Sequence, residues 1–490
     1  MRYDRSVRAA AMFVCLTGCS QILGIHGFSA GDGGGSGNAG QHYIKASNTD
    51  PGDNFGVAIA LSADGETLAV GAYQEASNAP GIDGDQTSNA DAAAGAVYVY
   101  AYDGTTWMQQ AYIKASNPDA MDQFGRALAL SADGTTLAVG ADGEASPATG
   151  VGGIQTTNTA AGAGAVYVFA RTGTTWAQTA YVKASNTGAG DQFGYALALS
   201  GDGHTLAVGA PLEDGSTPGI NGASNELASS AGAVYVFALG ATTWAQQAYV
   251  KASNPGANDR FGNAVALSTD GSTLAVAAPF EDSSTKGVGT TPDELATDSG
   301  AAYVFARAGM IWAQTAYVKA SNTDANDRFG AAIALTPDAN TLVVGADGDD
   351  SNSSATPDDN SATDSGAAHV FAHNGATWAE AAYIKAMTPV AGDGFGLAVA
   401  IGSSLVIGAP NEATATGGAY VYNMAGAFTR HLTAANAGLG DKFGTAVTTA
   451  ANGATPLAVS AMAEDSSATG VDGDGANDDA IDSGAAYVFQ

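Results

Sequence analysis

The densest run of hard oxygen ligands in the sequence is Asp472, Asp474, Asn477, Asp478 and Asp479, set among glycines in GVDGDGANDD. Such spacing supplies the oxygens and sharp turns that calcium, with about six to eight ligands, requires. Asp83-Gly-Asp85 repeats a fragment of it. The run lacks the closing glutamate of a helix–loop–helix calcium loop, since Ala480 follows Asp479. The readings are therefore a calcium site or a mobile acidic loop, and no cofactor is required. A second acidic set, Asp53, Asp122, Asp191, Asp259, Asp327, Asp393 and Asp441, stands two residues before each of seven Phe-Gly pairs. These carboxylates could face a partner, or each could tie its own loop through an Asx-turn. Six His are scattered, and only His369 and His373 are close together. No nucleophile elbow or phosphate loop stands in the required context. Catalysis is not expected.

Stepping through the chain, the Phe-Gly pairs begin at Phe55, Phe124, Phe193, Phe261, Phe329, Phe395 and Phe443, with spacings of 69, 69, 68, 68, 66 and 48 residues. In the third copy FGYALALS and TLAVGAP flank a GDG turn; after a polar insertion come GAVYVFA and WAQQAYVKAS. Short β-branched and aromatic runs between Gly, Asp and Asn are strands. Each unit is thus a four-stranded antiparallel meander, with strands a to d, and a fixed period of this kind means a propeller, solenoid or array. The ends decide between them. HYIKAS at 42–47 is a d strand with no preceding a, b or c, and the last copy stops after its c strand at Gln490. The orphan strand completes the last unit, so the fold expected is all-β, a seven-bladed propeller over 42–490 closed by its N-terminal strand, which hides edges that would otherwise pair with other chains.

The pattern FGxAxALSxDGxTLAVGAP followed by GAVYVF resembles the FG-GAP repeat of integrin α-chain propellers and of bacterial surface proteins. Several integrin blades carry a DxDxDG calcium loop between the first two strands. Here the matching turns hold one carboxylate each, at Asp64, Asp133, Asp202 and Asp270, so that calcium is not carried over. The resemblance implies ligand binding on the face shared by the b–c and d–a connections. That face would hold the seven Asp together with the b–c residues Glu75, Glu144, Glu213, Asp214, Glu281, Asp282, Asp349, Asp350, Glu412, Glu464 and Asp465. Trp107, Trp176, Trp244, Trp312 and Trp378 enter strand d at one repeated position, which points to a packing role rather than a carbohydrate platform. Lys45, Lys114, Lys183, Lys251, Lys319 and Lys385 repeat further along strand d, where they are expected on a solvated outer edge that discourages aggregation.

The N-terminus reads as an address. Arg2, Arg5 and Arg8 precede an apolar stretch, 9–16, too short to span a bilayer but suited to a secretion signal. Leu16-Thr17-Gly18-Cys19 resembles the bacterial lipoprotein lipobox, which implies lipidation of Cys19 after removal of residues 1–18. Residues 19–41 are a Gly-rich tether. The expected location is the bacterial cell envelope, at the outer membrane. A net charge of −31, from 48 Asp+Glu against 17 Lys+Arg, excludes nucleic acid, whose binding needs cations to displace counterions. The expected protein is a lipid-anchored monomer that engages a protein or polysaccharide through its acidic face. A sialidase-like hydrolase and an envelope component without a specific ligand are the rival readings.

Overall fold

The computed structural model describes residues 40–451 and 456–490; Cys19 and the segments expected as signal and tether up to residue 39 lie outside the described residues. The four runs of the third copy form strands Ala196–Leu199, Thr205–Ala210, Ala233–Leu239 and Trp244–Val250, hydrogen-bonded in that order. Six further four-stranded sheets repeat the arrangement. In the last, strands Phe443–Thr449, Leu457–Ala461 and Ala485–Phe489 are completed by Gln41–Ile44. Its antiparallel register runs from Gln41 opposite Phe489 to Ile44 opposite Ala486. Each first strand packs beside the first strand of the next sheet, and Phe443–Thr449 meets Phe55–Leu61 to close the ring. The fold is a seven-bladed β-propeller. The blades are numbered here from the Phe-Gly pair at Phe55.

The repeated motif follows from how blades stack. Thr205–Ala210 is buried along its whole length and Ala233–Leu239 over its first five residues, because each blade is covered on both faces by its neighbours. The core is accordingly divided into clusters that lie between blades. One joins Val234, Val236 and Val250 of blade 3 to Phe261, Tyr303, Phe305 and Trp312 of blade 4. The phenylalanine of each Phe-Gly pair sits inside such a cluster; Phe193 lies edge-on to Tyr235 and Phe237 at 5.3 and 6.1 Å. The two glycines of the motif meet across the blade boundary. A Cβ on Gly209 would overlap the carbonyl oxygen of Gly262, which itself holds φ +93°. This close backbone approach is what restricts both positions to the smallest residue.

The b–c insertions do not hang free. Ile220 forms a bridge with Val250 on the outer strand of its own blade, and Ile82, Val151, Val288 and Val471 do the same with Ile113, Val182, Val318 and Ile44. Lys251 N–H donates to the Gly219 carbonyl at 2.9 Å and Asn221 N–H to that of Tyr249 at 2.7 Å. Five outer strands thereby have their ends covered by their own loops, which protects an edge more directly than charge does.

Candidate ligand-binding face

The six repeated lysines are not on a solvated edge, which corrects the expectation from sequence. Lys251 is 0% exposed. Its Nζ donates to Glu213 Oε2 at 2.7 Å. Tyr249 OH donates to Glu213 Oε1 at 2.7 Å, Asn186 Nδ2 donates to the same oxygen at 3.0 Å, and Tyr235 OH donates to Asn186 Oδ1 at 2.7 Å. Buried pairs of the same kind join Lys114 to Glu75, Lys183 to Glu144, Lys319 to Glu281, Lys385 to Asp349, and Lys45 to Glu464. The insertion that covers strand d carries the carboxylate over the lysine. Burial lowers the Lys251 pKa, and Glu213 pulls it partly back, leaving it below the ordinary value. In blade 6, where the insertion is short, Thr433 stands in the lysine position and Glu412 takes Tyr420 OH at 3.0 Å and lies 3.2 Å from His431 Nε2.

These pairs remove Glu75, Glu144, Glu213, Glu281, Asp349 and Glu464 from the acidic surface expected of this face. The seven Asp before the Phe-Gly pairs are also buried, at 2–4% exposure, which corrects their assignment as contact residues for a partner. Each accepts the backbone N–H three residues upstream: Asp50 to Asp53 at 3.1 Å, Asp119 to Asp122 at 3.0 Å, Gly188 to Asp191 at 2.8 Å and Gly256 to Asp259 at 2.7 Å. The same bond joins Asp324 to Asp327, Val390 to Asp393 and Gly438 to Asp441. They staple the d–a loops from beneath.

Desolvation, aided by neighbouring carboxylates, pushes Asp53, Asp122 and Asp259 up to about 7, Asp327 to about 8, and Asp191 and Asp441 to about 6, against the opposing backbone bond. The folded chain therefore keeps protons that the unfolded chain releases above about pH 4. Stability from these groups is present at low pH and falls as pH rises through 6 to 8. Calorimetry at pH 5 should give a higher Tm than at pH 8.5, and Asp327→Asn should reduce that difference. A Tm that is flat or rises over this interval would refute the assignment.

Of the five residues read as a calcium set, three are drawn to separate partners. Asp472 Oδ1 accepts Tyr43 N–H at 3.0 Å, and its Oδ2 lies 3.0 Å from His42 Nδ1. Asp472 thus caps the closing strand as Asp83 does for Tyr112. Asn477 Oδ1 accepts Ser467 N–H at 2.8 Å, a loop tie that Asn225 and Asp293 repeat with Ser216 and Ser284. Asp474 Oδ1 accepts Ala476 N–H, and Asp478 and Asp479 are exposed. Among the described residues no three His, Cys, Asp or Glu side chains converge as a metal group.

What this face does present was not read from the sequence. Ile154, Leu227, Leu295 and Ile481 from the insertions and Met121, Met387, Val390 and Leu439 from the d–a connections are 57–80% exposed. The signal available was the repeated pair Asn225-Glu226-Leu227 and Asp293-Glu294-Leu295, a large aliphatic residue in a loop with no strand period to bury it. Asp50, Gln74, Asn89, Met121 and Gln123 line a depression of about 490 Å³ on the same face. Two cations here are engaged: Arg328 bonds Asp347 at 3.0 Å and Asp364 at 3.3 Å, and Arg126 lies 5.2 Å from the rings of both Tyr73 and Tyr195.

The five Trp are buried between blades, and Trp176 Nε1 donates to Gln110 Oε1 of the preceding blade at 3.0 Å. His369 occupies the place of Tyr235, with Nδ1 2.7 Å from Glu380 Oε1, while its Nε2 and Asn322 Oδ1 have no protein partner. The shorter ring does not reach the asparagine that tyrosine meets in blades 1 to 4 and 7. His373 packs on Trp378 at 4.9 Å, so the two histidines serve different contacts.

Among the described residues no helix is long and apolar enough to cross a membrane. The β-propeller domain of Cps50 (Swd1) from Myceliophteria thermophila is similar at a TM-score of 0.48 and 10% identity, over 86% of this chain and 95% of that one. No curated protein matches the chain in sequence. The family model of the FG-GAP repeat matches residues 107–169, 176–237, 244–305 and 312–371, a little over half of the chain. Each match runs from the outer strand of one blade through the first three strands of the next, the offset that also makes Gln41–Ile44 the missing strand of the last blade. The chain belongs to the FG-GAP repeat family.

Proposed function

We propose that the chain is a lipid-anchored surface module, held through Cys19 in a bacterial envelope, that binds a protein through the face built by its b–c and d–a loops. The observation that carries this reading is the set of eight large apolar side chains exposed on that face. They stand among the surface carboxylates Glu226, Glu294, Asp478 and Asp479. Apolar side chains clustered within a polar surround mark interaction sites on soluble proteins. The b–c loops are pinned from below by the buried Lys–carboxylate pairs and the d–a loops by the buried Asp, so little order need be gained on binding. Aliphatic tips among carboxylates suit a partner with apolar side chains and net positive charge. A polysaccharide would ask for exposed aromatic rings, and the tryptophans are buried. No catalytic step is part of this reading.

The test is a binding screen of the mature chain against cationic peptides and glycans. The peptides that bind should lose affinity about tenfold or more with Leu227→Ser plus Leu295→Ser, in line with interface hot spots of roughly 1–2 kcal/mol each. Ile311→Ser, on the opposite face, should leave affinity unchanged. Equal losses from both variants, or binding of glycans alone, would overturn the proposal.

A further inference from the structure

We infer that the junction of blades 5 and 6, on the face opposite the acidic loops, is a binding slot for one planar aromatic ring of the indole class. The chain itself shows what such a slot holds. In blades 1 to 5 a tryptophan enters the outer strand and is buried against the preceding blade, as Trp312 is within the cluster shared with blade 3. Where the preceding blade offers glutamine, the indole N–H donates to it: Trp176 to Gln110 at 3.0 Å and Trp312 to Gln247 at 2.8 Å. The residue ending strand c lies over the ring, as with Arg171 at 5.5 Å, Arg307 at 5.4 Å and Tyr102 at 5.3 Å.

Blade 6 keeps the register and loses the ring. Tyr420 pairs with His431 and Tyr422 with Phe428, as Tyr235 pairs with Tyr249 and Phe237 with Gln246 in blade 3. Counting along the outer strand from these pairs puts Gly426 at the tryptophan position and Met424 at the position of Arg171. On blade 5, Ala381 stands where Gln110 and Gln247 stand. Both halves of the contact are therefore absent at the same junction.

A Cβ built on Gly426 would lie 3.7 Å from Ala382 Cβ and 3.9 Å from Ile384 Cδ1 of blade 5, so the missing side chain would have pointed into the gap. The neighbours do not fill it. Phe428 packs instead on Tyr422 and Tyr420 at 5.9 and 6.3 Å, and Met424 is 49% exposed. What remains is a cavity of about 160 Å³ lined by Val370, Ala382, Ile401, Leu405, Met424 and Gly426, with Thr341 and Asn423 adding polar groups to its wall. A cavity of about 150 Å³ is large enough to take up benzene. Met424 at the rim offers a thioether, which makes favourable contacts with aromatic rings.

The slot can be tested by titrating the full chain with indole and with N-acetyl-tryptophanamide, using N-acetyl-leucinamide as the aliphatic control, followed by calorimetry or ligand-observed NMR. Saturable one-site binding of indole is expected. Ala382→Leu, which fills the space from the opposite wall, should weaken it about tenfold, equivalent to roughly 1.4 kcal/mol, without lowering Tm. Met424→Ala, at an exposed rim position, should weaken it several-fold in a chain that folds as the parent does by circular dichroism. Binding of both indole compounds would assign the slot to a tryptophan side chain of a partner; binding of indole alone would assign it to a free small aromatic. No saturable indole binding at millimolar concentration, or affinity unchanged by either substitution, would overturn the inference.

Discussion

Removing residues 40–47 should give a chain that aggregates, or that melts far below the parent. The deletion takes away the strand paired with Ala485–Phe489 and the buried side chains Ile44 and Ala46, which join the last blade to the first. It also leaves Glu464 buried without Lys45, whose Nζ lies 2.8 Å from it, and leaves Tyr100 OH without the Lys45 carbonyl it meets at 2.6 Å. Breaking a buried pair by removing one partner alone costs about 3–5 kcal/mol, a large share of a typical stability of roughly 5–15 kcal/mol. The exposed edge of Ala485–Phe489 would then be free to pair with other chains. A synthetic peptide of residues 40–49 should restore the parent Tm in a concentration-dependent way, since strand addition to an open edge is an ordinary mode of peptide binding. Equal melting of truncated and parent chains would show that the ring does not depend on this strand.

Glu213→Leu should be among the most damaging single substitutions in the chain. It leaves the Lys251 ammonium at 0% exposure without its hydrogen-bonded counter-charge, and it strips Tyr249 OH and Asn186 Nδ2 of their acceptor. The expected loss in urea unfolding is about 3–5 kcal/mol. Glu213→Leu with Lys251→Met should recover much of it, because replacing both members of a buried pair with apolar groups of similar volume removes the uncompensated charge. If the double substitution proves as unstable as the single one, the lysine charge is not what makes the loss large. The same comparison at Asp349 and Lys385 should behave alike, since that pair is 2.9 Å apart and equally buried.

The architecture was legible because its signals are local. Each strand is a short run between Gly- and Asp-rich turns, and the seven Phe-Gly pairs mark the period. The unmatched HYIKAS at the start and the blade stopping at Gln490 imply closure by counting alone. The packing role expected for the five Trp was legible for the same reason: one position repeated in five successive units means one environment repeated in five successive units. The loop role of the seven Asp was also open to view, since an Asp three residues after the amide it accepts is a local hydrogen bond.

Tertiary structure decided which charges meet water. Strand d is the outermost strand of its sheet, so a lysine there reads as solvent-facing. The insertion folding back to bridge Ile220 with Val250 covers it, and the carboxylate that pairs with Lys251 comes from 38 residues earlier in the chain. One trace of this was present in the sequence: the copy whose insertion is shortened is also the copy in which Thr433 replaces the lysine. Likewise Asp472 looks like a cation ligand beside Asp474, yet its carboxylate is turned toward Tyr43 at the other end of the chain. Composition counts every carboxylate as surface charge, because nothing local distinguishes an acid that faces solvent from one that neutralises a buried lysine. That distinction is made only when ring closure and loop return bring distant segments into one desolvated space, where an ion must find its partner or not be buried at all.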